Sequence, residues 1–483
     1  MRDRSSGHSS TPLSLGSARW TPVLFHISFH ITKSLFVDIR WAVDKVLASD
    51  LAAAQNGTPF SSGYERAVTI AAQTVTWAIS AAALAGVLFR PWRVPEWIWA
   101  VVGAVALVAL RLVPLQAAAS AVARGIPVYA FLVGMMALSE LARAEGIFAW
   151  LAAHTLMASR GSQRRLFVLV YGVGALVTTL LSNDATAIVL TPAVFTVLAR
   201  TEIDPMPFLY ACAFVANAAS FVMPISNPAN LVVFGAHLPP LGPWLRAFGP
   251  AAVASLVATF LALFLIARIG LRRRFSVDTV TATPLSRGGR LALAAVAVSG
   301  GCLVAVAALG GPVGLASLGL GVLSVVVVGT VDRAAPGAVG RTIAWPIVPL
   351  VAGLFAIVAA LDRTGALELA RAFLRYCSHL GPAPGSLLAG AAVALACNLF
   401  NNLPVALLAG YSLHGAAVSA GLSRATLVAV DLGPNLSITG SLATLLWLIA
   451  LRRDGLDVTP WQFLRTGLLV LLPALILALL FVQ

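Results

Sequence analysis

Two aspartates and a set of asparagines, serines and threonines stand inside long apolar stretches of this 483-residue chain, where polar residues are scarce. They fall into four islands. The first is Leu181-Ser182-Asn183-Asp184-Ala185-Thr186, closing at Thr191-Pro192; the second is Asn217-Ala218-Ala219-Ser220, followed by Pro224-Ile225-Ser226-Asn227-Pro228-Ala229-Asn230. The third is Asn398-Leu399-Phe400-Asn401-Asn402-Leu403-Pro404, and the fourth is Asp431-Leu432-Gly433-Pro434-Asn435-Leu436-Ser437-Ile438-Thr439-Gly440-Ser441. Proline and glycine interrupt the hydrogen-bond ladder of a helix, and the amides and carbonyls so released can grip a solute. Side-chain amides and hydroxyls complete the cage. It offers many hydrogen bonds and little fixed charge, which suits a small, neutral, hydroxyl-rich molecule or a partly dehydrated cation. The expected substrate- or ion-binding residues are Ser182, Asn183, Asp184, Thr186, Asn217, Ser226, Asn227, Asn230, Asn401, Asn402, Asp431, Asn435, Ser437, Thr439 and Ser441. Any one of them alone reads as glue between packed helices, worth about 1 kcal/mol; four matched islands containing prolines read as a site.

Asp184 and Asp431 differ from the rest in carrying charge. Near the bilayer midplane an ionised carboxylate costs roughly 3 kcal/mol on insertion scales. Burial favours the neutral form, so both are expected to carry or exchange the coupling proton. Either could instead hold a cation or accept backbone amides at a hairpin tip. Glu140 and Asp362, near span ends, are expected to be solvated or paired with Arg143 and Arg363. His154, His237, His379 and His414 are isolated and read as interfacial. Cys212, Cys302, Cys377 and Cys397 show no metal-ligand spacing and read as packing residues, so no metal or other cofactor is expected.

The elements that must position these islands are membrane helices. Hydrophobic residues make up 59% of the chain and charged ones 10%, which excludes a soluble multidomain enzyme. The net charge of +14 comes from short basic patches without aromatic platforms, so nucleic acid is not an expected partner. Of the 32 basic residues only Lys33 and Lys45 are lysines, and neither follows glycine, which excludes a phosphate-cradling P-loop. HExxH and Gly-x-Ser-x-Gly are absent as well, and the chain reads as a carrier rather than an intramembrane enzyme.

Hydropathy predicts ten spans, at about 67–89, 95–113, 126–143, 206–235, 250–268, 291–309, 313–330, 342–361, 426–450 and 464–482. Two further apolar regions, 166–199 and 386–420, are interrupted at mid-length by islands one and three. They read as re-entrant hairpins with tips buried in protein at membrane depth. Residues 1–66 read as a polar tail with an interfacial helix near Trp20–Ile39, 67–268 as a first repeat, 269–290 as a basic cytoplasmic linker and 291–483 as a second repeat. The repeat is visible directly: a shift of 219 positions pairs Pro127 with Pro346, Gly134 with Gly353, Gly146 with Gly365, Leu180 with Leu399 and Asn183 with Asn402. A shift of 213 to 214 then pairs Ile225 with Ile438 and Asn217 with Asp431.

Loop charges orient this arrangement. Sixteen arginines, among them Arg90, Arg160, Arg164, Arg165, Arg268 and Arg272 to Arg274, fall on one face, and seven, including Arg124, Arg371 and Arg375, on the other. The first face is expected in the cytoplasm. An odd number of spans per repeat then makes the halves inverted, the layout of alternating-access carriers.

At these islands the chain resembles the arsenite/antimonite efflux permeases of the ion transporter superfamily. The resemblance rests on LSNDATAIVLTP at Leu181–Pro192, on Ser226-Asn227, on Asn401-Asn402-Leu403-Pro404 and above all on DLGPNLSITGSLATLLW at Asp431–Trp447. It implies an all-α polytopic protein of the inner membrane with a scaffold part and a transport part carrying two hairpins. It also implies extrusion of arsenite or antimonite, small inorganic solutes, driven by proton motive force, with a soluble ATPase subunit as an optional partner. A homodimer is an assembly open to such a carrier. The chain departs from the pattern at Asn217, where familiar members have an acidic residue, and at Asn435, where they often carry lysine after Gly-Pro. The departures leave substrate and stoichiometry open, with a sodium-coupled anion carrier or a sodium/proton carrier of the same superfamily as the alternative.

Overall fold

A computed structural model of the protein describes residues 62–235, 238–276 and 283–482. The chain divides into a short unit, Met1–Val75, and a main unit, Thr76–Gln483. Of the first, only the start of helix α1 (Ser62–Phe89) is described, so the expected tail and its interfacial helix lie outside the described residues except at 62–66, which are helical.

Every regular element among the described residues is a helix. After α1 come α2 (Glu96–Ala109), α3 (Leu115–Arg124), α4 (Ile126–Ala144) and α5 (Ile147–Ala158). The first hairpin follows as α6 (Gln163–Leu180), a π-helical turn Ala185–Leu190 and α7 (Thr191–Leu198). A broken span, α8 (Met206–Ala218) and α9 (Pro228–Phe234), leads to α10 (Leu241–Ala267). The same series then runs again as α11 (Arg287–Ala308), α12 (Val313–Gly329), α13 (Ala335–Thr342), α14 (Ile347–Arg363) and α15 (Glu368–His379). Its hairpin is α16 (Pro382–Phe400) with α17 (Asn402–Ala416), its broken span α18 (Ala420–Leu432) with α19 (Leu442–Arg453), and its last helix α20 (Pro460–Phe481).

Seven of the described helices are long and apolar enough to cross a membrane, and several shorter apolar ones accompany them. Eight of the ten expected spans have a helix at their centre, α2 with only 14 residues, and the two broken spans fall into pieces whose centres are not helical. Four short helices were not expected: α3, α5, α13 and α15. With 8 to 12 residues each, they are too short to raise a span-length hydropathy window. Arg287–Arg290, assigned to the linker, begins α11, whose first turn Ser286 caps by accepting from Gly289 N–H at 2.8 Å.

The residues that carry the repeat in sequence do the same work in both halves. Gly146 and Gly365 each adopt φ 74°, the left-handed turn that starts the helix after α4 and after α14. Gly134 and Gly353 each mark a close helix crossing: a Cβ on Gly134 would lie 2.2 Å from the Ser317 backbone, and one on Gly353 would lie 2.7 Å from that of Ala100. The crossings are reciprocal. Helix α4 of the first half packs on α12 of the second, while α14 of the second packs on α2 of the first. Helices α10 and α20, each with one internal proline (Pro250, Pro473), pack on one another.

Two of the basic loops meet. Phe275 N–H donates to Gly161 O at 3.1 Å, joining the Arg160–Arg165 loop to the Arg272–Arg274 loop. Glu145 lies against the start of α11 at Gly288, close to Asp332; burial and the Asp332 carboxylate push the Glu145 carboxyl above its ordinary range.

Candidate functional site

The four islands converge. A small cavity is lined by Asn183 and Asp184 from the first hairpin tip, Asn402 and Leu403 from the second, Asn227 and Pro228 from the first break, and Ser441 with Leu442 and Ala443 from the second. Leu132 and Ile347, from the reciprocal helices α4 and α14, complete the wall. No basic side chain and no cysteine lines it, whereas amides, a hydroxyl and the half-buried Asp184 carboxylate do.

Each hairpin tip is tied to the break beside it by the same backbone bond. Asn183 N–H donates to Ser226 O at 3.2 Å, and Asn402 N–H donates to Gly440 O at 2.9 Å. Both helices that resume after the breaks are capped at matched positions: Asn227 accepts from Ala229 N–H at 2.9 Å and Ser441 from Thr444 N–H at 3.1 Å. These caps satisfy orphan amides and turn the starts of α9 and α19 toward the cavity. The released backbone is thus partly re-bonded within the protein, and the two breaks hold the two tips in register.

Asp431 lies one layer behind the wall and is fully buried. One carboxylate oxygen accepts from Asn227 Nδ2 at 2.8 Å; the other has no partner among the described residues. Asn217, its counterpart in the first half, donates to Asn435 Oδ1 at 2.9 Å and to Thr444 Oγ1 at 3.5 Å, and its own carbonyl oxygen is unpartnered. Thr444 is 2.8 Å from Ser441 Oγ, so a polar chain runs from the cavity wall through Thr444 and Asn217 to Asn435, which donates to Phe214 O at 3.2 Å. Where the resemblance pattern places an acid and a lysine, this chain places two amides, and Asn217 donates to Asn435 without charge on either side.

The remaining expected residues support backbone or face elsewhere. Ser182 Oγ accepts from Ala185 N–H at 3.2 Å, and Thr186 shares a 2.8 Å hydrogen bond with Thr178 inside the hairpin. Thr191 Oγ1 donates to Thr186 O at 3.0 Å, the widened spacing of a π-turn. Ser226 Oγ donates to Thr179 O at 3.0 Å, and Asn230 Nδ2 donates to Ser220 O at 3.0 Å, bracing the first break. Asn401, Ser437 and Thr439 lie on the flank of the second tip. Asn401 holds φ 70° and ψ 151°, a region sparsely populated by any residue with a side chain; Leu403 N–H donates to its Oδ1 at 3.3 Å.

Sequence reasoning passed over two residues that organise the second break. Asn398 donates to Gly433 O at 2.9 Å and accepts from Ser437 Oγ at 2.7 Å, and Thr444 joins Ser441 to Asn217. Asn398 stood inside the third island; Thr444 follows the fourth by three residues, the spacing of a capped helix start. Asp362 is a correction: Glu140 pairs with Arg143 as expected, at 2.6 Å, but Asp362 pairs with Arg371 and not Arg363, because α15 turns back across the end of α14.

A twice-run helical series with two hairpin tips and two broken spans around one polar cavity defines an integral, multi-pass membrane transporter. The chain belongs to the family described as citrate transporter (CitMHS), whose profile matches residues 77–432. It is similar to the arsenical pump membrane protein of Yersinia enterocolitica, 28% identical over 72% of this chain and 83% of the relative. The arsenical pump membrane protein of Escherichia coli K12 matches with the same identity and coverage. An uncharacterized transporter of Mycobacterium bovis is also 28% identical over 72% of this chain. Among solved structures, the YdaH transporter of Alcanivorax borkumensis shares the fold with a TM-score of 0.51 at 16% identity, covering 76% of this chain and 86% of that one.

Proposed function

We propose that the protein is a secondary carrier of the inner membrane that extrudes arsenite and antimonite in exchange for protons. One observation carries the reading: four interrupted stretches meet at a cavity whose polar lining is three asparagine amides, the Ser441 hydroxyl and the Asp184 carboxylate, with no cationic side chain. A citrate trianion entering it would meet the Asp184 carboxylate with no arginine or lysine to neutralise it, and uncompensated like charge at membrane depth is strongly unfavourable. A neutral trihydroxide of arsenic or antimony brings donors and acceptors that match asparagine and serine without a charge penalty. The names of the arsenical pump relatives support the same solute. Asp184 at the wall and Asp431 behind it are the groups proposed to bind and release the coupling proton.

A second reading, in which sodium replaces the proton, draws on the buried side-chain oxygens of Asn217, Asn230 and Asp431, which have no protein partner among the described residues. Everted vesicles holding the protein separate the two. Arsenite uptake that collapses with an uncoupler and persists without sodium is the expected result; uptake that needs sodium supports the second reading. Uptake of citrate in place of arsenite would overturn the solute assignment.

A further inference from the structure

A second cavity adjoins the first on the side of the second hairpin. Its lining includes Asn401 and Thr439 from the second tip and break, Leu350 from α14, Leu445 from α19, and Arg90 and Glu96, which form an ion pair at 3.2 Å between α1 and α2. The two cavities share two lining residues, Leu403 and Leu442, each placed one position after a polar wall residue, Asn402 and Ser441.

The repeat makes this opening informative. The matched tip-to-break bonds at Ser226 and Gly440 and the matched caps at Asn227 and Ser441 set the two breaks 214 residues apart, a register in which Ile225 corresponds to Thr439 and not to Ile438, and Leu231 corresponds to Leu445. Thr439 is exposed and Leu445 half-buried, whereas Ile225 is 0% and Leu231 4% exposed. Leu442 is half-buried and its counterpart Pro228 is buried. One flank of the polar cavity is therefore open and the equivalent flank is sealed, as in one of the two end states of a repeat-built carrier.

We propose that this second cavity is the cytoplasmic access route for the solute in this state, and that Leu403 and Leu442 form the apolar barrier between it and the polar cavity. The inference rests on the transport reading above. The Arg90–Glu96 loop lies on the arginine-rich face, which places the mouth in the cytoplasm, where an extruded solute must enter. Two leucines at a constriction hold out water and ions while yielding to a small neutral molecule, because a narrow apolar neck drains spontaneously. In the opposite state the sealed flank, at Ile225 and Leu231, would become the exit.

The test uses the full chain in everted vesicles with Cys302→Ser as background. Thr439→Cys and Leu445→Cys should react with a membrane-impermeant maleimide at least ~10-fold faster than Ile225→Cys and Leu231→Cys, since buried sites react only on opening. The Leu403→Ala/Leu442→Ala pair should raise uncoupler-insensitive, downhill arsenite flux by on the order of tenfold, with Leu→Met at both sites restoring the barrier. Equal labelling on both flanks, or no rise in leak from a protein that labels normally, overturns the route. If the parent protein moves no arsenite while the labelling contrast holds, the solute assignment falls and the route stands.

Discussion

Asp431 and Asn227 form a couple whose two members carry different risks. Asn227 supplies the one hydrogen bond that the fully buried Asp431 carboxylate receives among the described residues, and it also caps α9. Asn227→Ala should therefore remove a cap and strand a buried acceptor, lowering stability by about 2–4 kcal/mol. Thermal unfolding of the detergent-purified protein would register this as a clear drop in midpoint. Adding Asp431→Asn should recover part of the loss, because the stranded group is then uncharged; strict additivity of the two changes would show that the couple does not exist. The residue types of this couple were legible in the sequence as polar islands, but their pairing was not. Asn227 and Asp431 are 204 positions apart and meet only because the two breaks face one another. The same holds for Asp362, whose arginine partner was mistaken because a turn of α15 cannot be read from charge spacing.

At the scale of elements, the hairpins and broken spans were visible because lipid leaves no other use for Asn-Asn-Leu-Pro or Gly-Pro-Asn inside an apolar run. The connecting helices α3, α5, α13 and α15 were not, since 8 to 12 residues bury too little to stand out as spans. The turns that start α5 and α15 depend on glycine. Alanine at Gly146 or Gly365 must adopt the left-handed φ of 74°, at a cost of roughly 1–2 kcal/mol each. No heavy atom lies within 4 Å of the added Cβ at either position, so strain alone is at work. Gly146→Ala and Gly365→Ala should thus lower the unfolding midpoint by similar amounts and leave transport intact. A large loss at one site and none at the other would contradict the equivalence of the two halves.

For the whole molecule, the swapped crossings of α4 on α12 and α14 on α2, the two matched tip-to-break bonds and the two matched caps all support a two-fold relation between halves. The loop charges lead us to propose in addition that the halves are inverted across the membrane. The halves are not chemically alike. Asp184 of the first tip corresponds to Leu403 of the second, and Asp431 of the second break corresponds to Asn217 of the first. Each half thus contributes one carboxylate and one neutral residue, an asymmetry that the shift of 219 or 214 positions displays in the sequence but whose meaning appears only when both line or back one cavity. A solute and a proton competing for that single cavity would couple their movements without any ATPase in the chain. The direct test is proton release in everted vesicles carrying an imposed acid interior, followed by a pH-sensitive dye as arsenite is added. The wild type should show arsenite-dependent proton efflux, Asp184→Asn and Asp431→Asn should each abolish it while remaining folded, and equal efflux from all three would contradict the account.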